Sequence, residues 1–148
     1  MGDGVSAVTP QDRELKVLLG EARTIAVVGL SSKPGRPSLG VAGYLQEHGY
    51  RILPVNPNES EVLGERAYGS LLELPPDLRV DVVDVFRRAE ATPAVAREAV
   101  AIGAKVLWLQ EGIVNDEAYR IAADAGLDVI MGVCIRSTKR RLDEEETT

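Results

Sequence analysis

TIAVVGLSSKPGRPS, residues 24–38, decides the fold. Thr24 to Gly29 is a short β-branched apolar run of the kind that fills a buried strand. It closes on a glycine and turns through a polar loop to Ser38, which can cap a helix running to His48, with Gly49 as its stop. Strand, polar loop and helix start in immediate succession make a βα unit, and such loops lie at the carboxyl ends of the strands.

The same alternation recurs on both sides of this stretch. Thr9-Pro10 with Asp12 marks a helix start and Gly20 its stop. Arg51 to Val55 is a second strand, ended by the turn-forming Asn56-Pro57-Asn58. Glu59 to Leu74 is less regular, with a short turn and one short helix beginning at Ser70. Asp81 to Phe86 is a third strand, and Thr92-Pro93 opens a helix that Gly103 stops. Lys105 to Leu109 is a fourth strand, Asn115 caps a helix ending at Gly126, and Asp128 to Met131 is a fifth. This pattern predicts an α/β fold: a Rossmann-like, doubly wound sheet of about five parallel strands with helices on both faces, in three layers. By analogy with doubly wound sheets the expected strand order is 3-2-1-4-5. Residues 9–142 form one domain, between a flexible N-terminus (1–8) and an acidic, flexible tail (143–148).

Only 4% of the 148 residues are aromatic, so the core must rest on Val, Leu, Ile and Ala, with Trp108 inside an apolar strand. The net charge of −6 argues against a general nucleic-acid binder, which carries a basic face. The basic residues are local instead, and suit a small anionic ligand. No apolar run approaches the roughly 20 residues that span a bilayer, so no membrane partner is expected. The absence of a leader-like N-terminus and the single cysteine, Cys134, fit a cytoplasmic protein without an internal disulfide.

Five loops follow the strands and are the places for a ligand. The first, residues 29–38, has hydroxyls at Ser31, Ser32 and Ser38, cations at Lys33 and Arg36, and a helix N-terminus that favours an anion. It is neither standard phosphate loop: Gly35 is followed by Arg36-Pro37 rather than Lys-Ser/Thr, and the glycines at 29, 35 and 40 do not make G-x-G-x-x-G. The second loop has Asn56-Pro57 where an NAD site usually carries a carboxylate for the ribose. A neutral residue there is compatible with the 3′-phosphate of coenzyme A. In the third, Arg87 and Arg88 can hold phosphate oxygens, pair with Asp84 or Glu90, or stand in solvent. In the fourth, Gln110 and Gly112 allow close approach of a ligand or form a tight turn.

The runs AVVGLSSKPGRPS, YLQEHGYRILPVNP, DVVDVFRR, VLWLQEGI and GLDVIMGVCI together resemble the small stand-alone CoA-binding proteins, a group similar to the CoA-binding domain of the succinyl-CoA synthetase alpha chain. The resemblance runs from about Leu15 to Leu142. It implies a Rossmann-like domain with CoA or acyl-CoA across the loops after strands one to four. The ligand-facing residues it implies are Gly29, Ser31, Ser32, Arg36, Pro37, Ser38, Asn56, Pro57, Phe86, Arg87, Gln110 and Gly112. The family shows Asp-Arg-Cys after the fifth strand and then Glu-His; this chain has Gly132-Val133-Cys134, then Ser137-Thr138.

The larger relatives imply a relay through a phosphorylated histidine. The single histidine, His48, falls at the far end of its helix, where a cation suits the helix C-terminus. No catalytic residue and no metal site is expected. Cys134, near Arg136, is either a structural thiol or one that forms a mixed disulfide with CoA. Three functions stay open: a CoA-binding module without catalysis, alone or as a homo-oligomer; a CoA-binding subunit that completes an acyl-CoA ligase with a partner chain; and an NAD(P)-binding redox sensor.

Overall fold

The computed structural model describes residues 10–146. Five parallel strands form the central sheet: β1 (Thr24–Val28), β2 (Arg51–Val55), β5 (Val82–Val85), β6 (Val106–Glu111) and β7 (Asp128–Gly132). Between β2 and β5 a two-residue hairpin, β3 (Glu61–Val62) and β4 (Glu65–Arg66), and a 3₁₀ turn at Leu71–Glu73 fill the stretch expected to be irregular. Helices α1 (Asp12–Glu21), α2 (Pro37–Glu47) and α5 (Ile135–Glu146) cover one face, and α3 (Thr92–Ala101) and α4 (Asp116–Asp124) the other. The three-layer Rossmann-like expectation holds.

The strand order does not. It is β2-β1-β5-β6-β7, so the third long strand, β5, lies beside β1, and β2 is at the edge. Pro54 supplies a reason: it has no N–H to donate to a ladder, which confines its strand to an edge. The outer side of β2 is finished by Tyr68, whose N–H donates to the Pro54 carbonyl (3.0 Å) and whose carbonyl accepts from Asn56 N–H (2.8 Å).

Strand alternation sorts the core. Ile25, Val27, Val82 and Trp108 join Leu15, Val41, Leu45, Ile135 and Leu142 on the first face. Ala26, Val28, Val83, Val85 and Leu107 meet Val95, Ala96, Ala118 and Ala122 on the second. Trp108 is fully buried, as expected, and its indole N–H donates to the Val133 carbonyl at 2.8 Å. Asn115 caps α4 by accepting from Ala118 N–H at 2.8 Å.

Sequence expectations change at three helices. Thr9, like the 1–8 segment, lies outside the described residues, and α1 has Gln11 as its N-cap and runs past the expected stop at Gly20 to Glu21. Arg36, not Ser38, is the N-cap of α2, with Pro37 in its first position. The basic cluster and most of the tail form α5: Ile135, Thr138 and Leu142 are buried at helical spacing, and Lys139 pairs with Asp143 at 3.0 Å. Arg141 ties α5 to α1 through Asp12 at 2.7 Å. Residues 143–146 are therefore helical, and only 147–148 fall outside the description.

Candidate functional site

With β1 connected outward to β2 and β5 on its other side, the strand order reverses between β1 and β5, the point beyond whose carboxyl ends open α/β sheets form their ligand crevice. Gly29 closes its inner wall. Its N–H donates to the Val55 carbonyl, and Phe86 N–H donates to the Val28 carbonyl, both at 2.8 Å, so the ends of β1, β2 and β5 are stitched together. Gly29 has φ of +89°, and a Cβ there would lie 2.4 Å from the Phe86 carbonyl oxygen. Glycine is required on both counts. Arg87 leans over the same point, its Cδ 3.3 Å from where that Cβ would be.

From Gly29 the chain runs through Leu30, fully buried, into an exposed turn. Ser31 N–H donates to the buried Ser38 hydroxyl (3.1 Å), and the Ser31 hydroxyl accepts from Lys33 N–H (3.1 Å). Arg36 N–H donates to the Lys33 carbonyl at 3.2 Å. These bonds shape the loop so that Lys33, Gly35, Arg36 and Pro37 stand exposed at the N-terminus of α2, whose dipole attracts negative charge. Pro57, Arg87 and Arg88 are exposed on the neighbouring loops. What this rim can do chemically is hold an anion with several oxygens.

Some expected ligand groups have other engagements. Asn56 donates from Nδ2 to the Leu30 carbonyl (3.0 Å) and accepts Asn58 N–H at Oδ1 (2.9 Å), so its amide braces the first loop against the second. Ser38 spends its hydroxyl on Ser31. Gln110 is buried and turned toward α5, accepting Ile135 N–H at 3.1 Å. Gly112 is exposed with φ of +80°, the backbone of a tight turn after β6. Arg88 lies 3.9 Å from Glu90, both well exposed. Asp84, weighed as a partner for these arginines, is instead fully buried.

Glu59 was missed. Its Oε2 accepts from Ser32 N–H at 2.8 Å and from the Ser32 hydroxyl at 3.0 Å. Those two bonds, helped by Lys33, hold its carboxyl below the usual range. An acid therefore occupies donors that an incoming phosphate would use. The only sequence signal was its place as the first charge after the Asn56–Asn58 turn.

A cavity of about 590 Å³ lies at the opposite edge of the sheet, between α1 and the starts of β5, β6 and β7. Its charged lining sets Glu14, Glu21, Asp81 and Asp128 against Arg13 and Lys105, a balance that leaves excess negative charge against a phosphate.

The family model for the CoA binding domain matches residues 23–138, a span that contains every loop described above. The chain belongs to the CoA-binding domain family. This CoA-binding domain is 46% identical over 127 residues to the Bacillus subtilis protein YneT, covering 86% of the chain and 93% of that protein. A solved hypothetical protein of Pyrococcus horikoshii OT3 superposes with a TM-score of 0.88 at 36% identity, over 95% of this chain and 99% of the other. The alpha subunit of ADP-forming acetate–CoA ligase I of Pyrococcus furiosus is 35% identical over 91 residues; that is 57% of this chain but only 19% of the ligase subunit.

Proposed function

We propose that this chain binds CoA or acyl-CoA reversibly at the β1–β5 crevice and performs no reaction by itself. The observation that carries this is the exposed loop of residues 31–37, which brings cations and a helix N-terminus to the point where the strand order reverses. The helix end and loop amides take the pyrophosphate, and Lys33, Arg36 and Arg87 offset its charge. Asn56 stands at the end of β2 where a carboxylate would select NAD, and no cation there is needed to tolerate a phosphorylated ribose.

Calorimetric titration with CoA, acetyl-CoA, dephospho-CoA and NAD tests this. CoA and acetyl-CoA bind alike, dephospho-CoA binds more weakly, and NAD most weakly; equal affinity for CoA and NAD defeats the reading. Arg36→Ala weakens CoA binding at least about fivefold, or about 1 kcal/mol, because charge-assisted hydrogen bonds contribute about 1.5–3 kcal/mol. An unchanged isotherm removes Arg36 from the site. Glu59→Gln tightens CoA binding severalfold in the same titration, since it removes a negative charge that competes for Ser32. Weaker binding in that variant makes Glu59 a ligand contact rather than a competitor.

The ligase similarity supports a second reading, in which bound CoA serves a partner chain that supplies the rest of an acyl-CoA ligase. His48 does not supply the relay here: it ends α2 at the far side from the loop, with Nδ1 2.7 Å from the Tyr44 carbonyl and its ring stacked on Tyr44. Co-purification of a ligase beta-type chain distinguishes the two.

A further inference from the structure

A second polar cluster lies beside the crevice, at the first turn of α5. Cys134 immediately precedes this helix and is half-buried. Burial opposes its ionisation, but the N–H and hydroxyl of Ser137, the Gln110 side chain and the Arg136 N–H all donate to the sulfur, and its pKa lies below the ordinary thiol value. Gln110 is itself held in place by its bond to Ile135 N–H. The thiol thus sits in a rigid bracket of donors that stabilise its charged form.

Two further groups beside this bracket have buried polar atoms without a hydrogen-bond partner. Asp84 is 0% exposed, and neither of its carboxylate oxygens has a hydrogen-bond partner. Along β5, Val83 and Val85 face the α3–α4 side, so Asp84 points with Val82 to the side where Cys134 packs. Burial, and then the charge of Cys134, push its pKa well above the usual carboxylate range. Arg136 Nε is likewise buried and unpaired, and its Nη1 would lie 3.2 Å from a Cβ on Gly40 of α2. A buried acid without a partner is costly, and packing does not call for one at this point of a strand of valines. The contact with Gly40 brings the first turn of α5 against the first turn of α2, the helix that carries the anion-binding loop. Phe86, at the wall of the crevice, packs on the same core as Cys134.

We propose that Cys134 is a thiol-exchange site at which a small disulfide, CoA disulfide in particular, is captured as a protein mixed disulfide; the choice of CoA rests on the binding function proposed above. The Cys134 thiolate attacks one sulfur of the disulfide. A bond forms between Sγ and that sulfur, the original S–S bond breaks, and the second CoA leaves as a thiolate that takes a proton from solvent. The small disulfide is the oxidant, so no other redox partner is needed. Burial disfavours the charged form of Asp84, which opposes a second negative charge beside the sulfur.

The test is to incubate the full chain with CoA disulfide or with glutathione disulfide at neutral pH and follow the intact mass. One CoA adduct forms at least about tenfold faster than the glutathione adduct, dithiothreitol removes it, and Cys134→Ser lacks it. In Ser137→Ala, where an exposed donor to the sulfur is gone, the pH midpoint for alkylation by iodoacetamide moves upward. No adduct, in a protein that still binds reduced CoA by calorimetry, overturns the exchange step and leaves the binding function standing. Equal rates with the two disulfides overturn the CoA-directed part, and an unmoved midpoint in Ser137→Ala overturns the bracket.

Discussion

Gly29→Ala unfolds at markedly lower denaturant concentration than the parent and loses CoA binding. Two costs add. A non-glycine residue held at φ of +89° costs on the order of 1–3 kcal/mol. The new methyl also overlaps the Phe86 carbonyl oxygen at 2.4 Å, and relief requires the ends of β1 and β5 to part. Overpacking of this kind costs about 1–3 kcal/mol more. The carbonyl is backbone inside the sheet, so no side chain can swing away to absorb the overlap. Binding suffers with stability because Gly29 and Phe86 form the wall from which the loop departs. Urea midpoints and CoA titration on the same preparation check both effects; a variant of parental stability shows that the crevice wall yields, and that Gly29 has another role.

Asp84→Val stabilises the fold. The carboxyl is enclosed, has no hydrogen-bond partner, and is flanked on β1 and β6 by Val27 and Trp108. Leaving a buried polar group unpaired costs about 1–3 kcal/mol, and valine recovers about that much at pH 7. The pH dependence has a definite sign. The unfolded chain gives up this proton near its ordinary value of about 3.9. The folded chain, whose Asp84 pKa is raised by burial and by the Cys134 charge, retains it. Over that interval the folded state binds more protons, so the parent loses stability as pH rises. The advantage of Asp84→Val is therefore small near pH 4 and grows toward neutrality. Urea unfolding at the two pH values measures it; equal midpoints for parent and variant at pH 7 show that a partner satisfies the carboxylate. A stabilising substitution at so central a position would mean that the acid is kept for something other than the fold, and the charge that acts on it is that of the Cys134 thiol.

The sheet was legible because its strands are short runs of valine, isoleucine and leucine bounded by turn residues, and because the helices between the strands carry their own stops, as at Gly49 and Gly103, both with positive φ. Pro54 even bore the information that β2 is an edge strand, although analogy pointed to another order. Helix α5 was hidden because its apolar residues are few, Ile135 and Leu142, and charge dominates the rest. The first loop could be picked out by its serines and cations. Which groups of the first two loops face outward could not, because Ser38 and Asn56 have the same chemistry whether they hold a ligand or hold a loop.

Local pattern thus settled the alternation of the five long strands with the helices before and between them and the family to which the chain belongs, since each depends on neighbours within a turn or two along the backbone. Three-dimensional packing alone decided that β5 lies against β1, that Glu59 reaches back 27 positions to Ser32, and that Asp84, Gln110 and Arg136 gather around Cys134. Those contacts join residues far apart in the chain, and their energies depend on burial and distance, quantities that a string of residues does not contain.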